Sequence, residues 1–232
     1  MDNNLEESNE IKLSLIDRIT GVFINPEAVF KDINKKADIL KPSLIIMAIF
    51  IITYIMQLAI IKEAIVEQFK VVQLTNPSFK ITDGLVNKAL YSGLFAGSFM
   101  IVIVPIIKGM LVYGIALINN GKGKLKETVS VFIYSYFIIM LGQVILAVLK
   151  VITGNLYITL SPAVFFKTLE VNSFMNVFLS YFDVFTIIYL AVTVIGVKII
   201  HKLSIRKATI AVLVPSIIYL LLTIVPTFMN LG

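Results

Sequence analysis

Cysteine is missing from the 232 residues, and histidine occurs once, as His201. Without cysteine there is no disulfide, thiolate ligand or thiol nucleophile. A single histidine argues against zinc sites built on several His or Cys side chains and against Ser–His or Cys–His catalytic sets. Charge is also scarce. Only 15% of residues are charged and 58% are hydrophobic, whereas a soluble domain carries roughly 25% charge to cover its surface. Lipid must solvate part of this chain. No HExxH occurs, no span carries the paired glutamates of a membrane protease, and no serine has a plausible base. No cofactor or metal is expected, and no catalytic residue is assigned. The segment Met1 to Glu10 is polar and acidic, unlike a cleavable signal peptide, and is read as a disordered N-terminus.

The sequence does contain five apolar stretches, about 42–61, 90–118, 128–149, 176–197 and 208–229. Twenty residues at about 1.5 Å each match a hydrocarbon core of about 30 Å. The expected fold class is therefore all-α, a polytopic five-helix membrane bundle over residues 42–229. Pro215 and Pro226 in the last stretch predict a kink or a frayed end. The short loops set an orientation. Lys122, Lys124 and Lys126 precede the third stretch, and Lys198, Lys202, Arg206 and Lys207 precede the fifth. The positive-inside bias puts both loops and the N-terminus in the cytoplasm and the C-terminus outside. It also accounts for the net charge of +6 without a nucleic-acid partner. Frequent Ile, Lys and Asn point to an AT-rich bacterial genome, so a bacterial inner membrane is the expected location, and membrane lipids are expected partners.

Residues 11–41 read as interfacial helices. Leu15, Ile16, Ile19, Val22 and Phe23 form an apolar face, with Asp17, Arg18 and Thr20 opposite. Asn25 suits an N-cap and Pro26 a first turn, restarting a helix whose apolar face is Val29, Phe30 and Ile33. Two readings stand: a hairpin lying on the inner leaflet, or a platform for a cytosolic partner. Ser161-Pro162 followed by Ala163, Val164, Phe165, Phe166 and Leu169 suggests a short amphipathic helix capping the outer side.

Lys108 and Asp183 are the two charges placed inside spans. Each should find a partner or water, since a charge at mid-span costs about 2.5–3.5 kcal/mol on insertion scales. An interhelical Lys108–Asp183 contact is one reading. The others are a capping Asp183 with a snorkelling Lys108, or a polar path for a solute. Gly93 and Gly97 sit four apart on one helix face, which permits close packing inside the chain or a seam in a homo-oligomer. Tyr134, Ser135 and Tyr136 form an interfacial belt or hydrogen-bond across the bundle to Asp183 or Lys108. The Asn119–Lys124 stretch lacks the spacing of a phosphate loop and reads as a turn.

The set Asn25-Pro26-x-x-x-Phe30-x-x-Ile33, a Gly121/Gly123 loop leading to Tyr134-Ser135, Asp183-x-Phe185, Gly196 and Lys207-Ala208 resembles the Yip1-domain membrane proteins in their bacterial form. It spans roughly residues 15–229. Many relatives place Pro shortly after the Tyr-Ser pair, where Phe137 follows here, and Trp where Ile188-Tyr189 stands. The resemblance implies a five-helix integral membrane protein without enzymatic activity, a scaffold or adaptor for membrane or cytosolic proteins. The alternative is a small transporter or channel subunit using Lys108 and Asp183.

Overall fold

A computed structural model describes residues 12–166 and 173–229; Lys167 and Leu169 fall outside these, as do the polar N-terminus and the last three residues. The described chain is all-helical. Ser14 opens α1 (Leu15–Ile24) with a capping box: its hydroxyl accepts from the Asp17 amide while the Asp17 carboxylate accepts from the Ser14 amide. Asn25 ends α1 and caps α2 (Pro26–Lys35), accepting from the Ala28 amide. Then come α3 (Leu40–Met56), α4 (Leu58–Thr75), α5 (Asp83–Ile118), α6 (Leu125–Thr153), a 3₁₀ turn at Pro162–Phe165, α7 (Phe174–Tyr181), α8 (Val184–His201) and α9 (Ile205–Met229). Of the expected 161–169 helix, the described part is this single 3₁₀ turn.

Four helices, α5, α6, α8 and α9, are long and apolar enough to cross a membrane, and the bent pair α3–α4 makes up to five. α6 is the central element. Its most apolar stretch is 56% buried against 22% for α5, and it packs on α1, α2, α3, α5 and α8. Phe132, Ile133, Tyr134, Ile138 and Met140 of α6 are all buried in the main core.

Two helix breaks depart from the expected spans. The 42–61 stretch is not one straight helix: α3 ends at Met56 and α4 leaves at 70°. Seventeen residues of α3 reach about 26 Å, short of the hydrocarbon thickness. At the break, side chains hold backbone carbonyls. The Thr53 hydroxyl bonds the carbonyls of Ile49 and Phe50 at 3.0 and 2.9 Å, and the Gln57 amide donates to the Thr53 carbonyl at 2.8 Å. Such local bonds compete with the helical ladder and bend it. The 176–197 stretch is broken as well, because Asp183 caps a new helix instead of lying inside one. By contrast, α9 runs on through Pro215.

Glycines seat aromatic rings where helices cross. A Cβ on Gly97 would lie 2.4 Å from the Phe50 ring, and one on Gly93 would lie 2.8 Å from the Tyr54 hydroxyl. The small face of α5 thus receives α3 of the same chain. A Cβ on Gly142 would meet the Phe185 ring at 2.6 Å, and one on Gly196 would meet Val131 at 2.4 Å and the Phe30 ring at 3.1 Å. Gly196→Ala should therefore lower stability by about 1–3 kcal/mol through overpacking. Gly114→Ala, at an exposed helical position with nothing within 4 Å, should be neutral or stabilise by up to about 1 kcal/mol. Thermal unfolding of the two variants in detergent measures the contrast.

Candidate partner-binding face

The N-terminal hairpin is seated on the bundle, with α2 against α8 and α6, and α1 against α2 and α6. Val22, Val29, Phe30 and Ile33 are buried in the main core. Ile16, Phe23 and Ile24 remain exposed, so the apolar face expected for α1 is divided between protein and surroundings.

Arg18, expected on the polar face, is the largest correction. Its side chain is only 5% exposed. The Arg18 Nε donates to Asp32 at 2.7 Å and Nη1 to Asp38 at 2.5 Å. Tyr134 of α6 donates its hydroxyl to the same Asp38 carboxylate at 2.9 Å, and the Arg18 guanidinium lies 5.9 Å from the Tyr134 ring centre. Ser130 of α6 donates to the Asp38 carbonyl at 2.7 Å. One arginine thus ties α1, α2, the segment before α3, and α6. Burial alone would lower the Arg18 pKa; contact with Tyr134 and the Asp32 carboxylate reverses that and holds it above its ordinary value. Tyr134 hydrogen-bonds across the bundle, as one reading anticipated, but to Asp38, not to Asp183 or Lys108. Ser135 is buried with no hydrogen-bond partner for its hydroxyl among the described residues, and Tyr136 packs edge-on against Tyr189. The tyrosines here are therefore core residues and not a belt.

Beside the hairpin, His201 organises both basic loops. Its Nδ1 accepts from the Gly123 amide at 3.3 Å, and its Nε2 is 2.7 Å from the Thr128 hydroxyl. Thr128 donates that hydroxyl's proton to the Lys124 carbonyl, so the ring is consistently assigned as the neutral Nε2–H form. The His201 carbonyl accepts from the Lys122 amide, and Lys207 Nζ reaches the Asn119 carbonyl. A Cβ on Gly121 would lie 2.6 Å from His201 Nδ1, and one on Gly123 would lie 2.4 Å from Ile200. Both glycines allow a close approach that a side chain would block. Lys31 of α2 and Lys122, Lys124, Lys202, Arg206 and Lys207 in and beside the two loops are exposed. The exposed Glu27 carboxyl is held below its usual range by Lys31, 2.8 Å away.

Lys108 and Asp183 lie elsewhere and apart in their bonding. Asp183 accepts from the Phe185 and Thr186 amides at 2.9 and 3.0 Å and from the Thr186 hydroxyl. Lys108 Nζ lies 4.1 Å above the Tyr219 ring centre of α9. No Lys108–Asp183 ion pair occurs among the described residues. The two charges fell in separate apolar runs of similar depth, but a carboxylate beginning a helix satisfies the free amides there. Of the family-like residues, Pro26 opens α2, Phe30 lies on Gly196, Phe185 lies on Gly142, Ile33 is buried, and Tyr134 holds Asp38. Sequence reasoning missed Arg18, Asp32 and Asp38. A usable signal was that only Arg18 and Arg206 of the 20 basic residues are arginine, the side chain suited to buried pairing with carboxylates.

Among known families, the Yip1 domain matches residues 20–225. No curated protein and no solved structure matches the chain.

Replacing Arg18 by Leu should cost about 3 kcal/mol, the low end for breaking a buried pair, since Asp38 keeps some access to water. Tyr134→Phe should cost about 1 kcal/mol, the worth of one hydrogen bond. Limited proteolysis should then cut the hairpin readily in Arg18→Leu and rarely in the parent protein.

Proposed function

Because this chain belongs to the Yip1-domain family of membrane-embedded helical proteins, we propose that it acts as a non-enzymatic scaffold, binding a membrane or cytosolic protein through its hairpin face. The observation that carries this reading is the Arg18 network. A hairpin that only lay on lipid would need no buried guanidinium shared among four segments. This one is locked to α6, and its outward side presents Glu27 and Lys31 beside two pinned basic loops. Surfaces held rigid before binding lose less entropy when they bind.

The non-enzymatic reading draws on how the reactive groups are used. His201 spends both ring nitrogens on Gly123 and Thr128. Asp32 and Asp38 are engaged by Arg18. The gathering of basic loops and hairpin at one end supports a cytoplasmic hairpin face, with the C-terminus of α9 on the other side of a bacterial inner membrane.

A photo-crosslinking residue placed at Lys31 or Arg206 in cells should give discrete protein adducts, and the Lys31 adducts should disappear when Arg18→Leu is added. The same residue at Tyr157, on the opposite end, should give none of them. Solute flux through reconstituted vesicles, lost in Lys108→Ala, with no adduct at either hairpin-face position, would replace the scaffold with a transporter.

A further inference from the structure

At the end of the bundle away from the hairpin, two cavities flank α6. One, about 250 Å³, is lined by Thr53, Tyr54, Gln57 and Tyr136 among others. The second, about 140 Å³, is lined by Thr159, Ser180, Asp183 and Thr186 among others. Ile139 and Gln143 line both. Each cavity also meets one of the two helix breaks, Gln57 in the first and Asp183 in the second. Irregular backbone at membrane depth persists where it is buried in protein or lines a cavity.

The depth of the second cavity follows from α8. Its 18 residues span about 27 Å, close to the hydrocarbon thickness. Its last residue, His201, sits among the basic loops, so Asp183 at its start lies at the headgroup boundary of the far leaflet.

The chemistry of the lining is selective. Asp183 forms no ion pair among the described residues, and no lysine or arginine lines either cavity. The Gln143 side chain is exposed on an apolar helix, and among the described residues it makes no hydrogen bond. An exposed amide at that depth is free to take a polar partner from the membrane surface. A negative carboxylate, three neutral hydroxyls and a free amide at headgroup depth match a positively charged hydrogen-bond donor. The smaller cavity holds the volume of about four waters, enough for an aminoethyl group.

We infer that the paired cavities bind the primary ammonium headgroup of a phospholipid in the leaflet away from the hairpin. The ammonium pairs with Asp183 and the Gln143 amide contacts the rest of the headgroup. The exposed Leu141, Ile145 and Phe182 nearby leave the acyl chains in the bilayer.

The test uses the full chain in nanodiscs of phosphatidylcholine with or without phosphatidylethanolamine, with bound lipid counted by native mass spectrometry. Asp183→Asn is informative because asparagine caps a helix as well as aspartate does. The expected result is retention of phosphatidylethanolamine over phosphatidylcholine. That preference should fall about tenfold in Asp183→Asn, as for a lost charge-assisted hydrogen bond, while the thermal midpoint in phosphatidylcholine alone stays unchanged. Gln143→Leu should weaken the preference without abolishing it. Equal retention of the two lipids by the parent protein, or an undiminished preference in Asp183→Asn, overturns the site. Full displacement by soluble glycerophosphoethanolamine overturns the lipid assignment in favour of a soluble amine.

Discussion

A guanidinium withdrawn from water must be neutralised where it lies, and the arrangement of the hairpin end follows from that requirement. Arg18 is closed in by α1, α2 and α6, so its charge has to be met by groups those segments can deliver. Asp32 comes from the face of α2, and Asp38 comes from the turn leading into α3. Tyr134 completes the shell by occupying the side of Asp38 that faces the core. Each partner fixes the position of a different segment, and withdrawing Arg18 would leave two carboxylates without their cation. Such a network contributes less to net stability than its short bonds suggest, because desolvation offsets much of the attraction. Its effect here is to select one seating of the hairpin on the bundle.

Packing reinforces that selection through shape. Phe30 rests where Gly196 leaves α8 without a side chain, and Phe185 rests on Gly142 in the same manner. Between lipid-facing helices the hydrophobic effect gives little directional preference, so close approach and polar contacts decide which faces meet. The ring-on-glycine contacts and the Arg18 network therefore act together: one fixes distance, the other register. His201 plays a comparable part for the loops, binding the Gly123 amide and the Thr128 hydroxyl and bringing the turns after α5 and α8 together.

Membrane character and most helix positions were legible in the sequence because both depend on local apolar composition. The α6 span and the caps at Asn25 and Pro26 were readable in this way. What local pattern could not reveal was the use of polar side chains at long range. On a ten-residue helix Arg18 looks solvent-facing, and only the placement of Asp38 and Tyr134 makes its burial tolerable. The bend at Gln57 was hidden because Thr53 and Gln57 are ordinary in an apolar run until their side chains take backbone carbonyls. Asp183 looked intramembrane because hydropathy counts α7 and α8 as one stretch, whereas the carboxylate starts a helix and removes the supposed mid-span charge.

The lock on the hairpin also imposes an order on biogenesis. Asp38 and the hydroxyl that completes its shell are 96 residues apart in the chain. At ordinary synthesis speeds the later residue emerges on the order of ten seconds after the earlier one. Throughout that interval α1 and α2 have no α6 to rest on. The hairpin is thus made well before it can find its seat, and whatever guides the nascent chain into lipid meets it in a form the finished protein no longer shows.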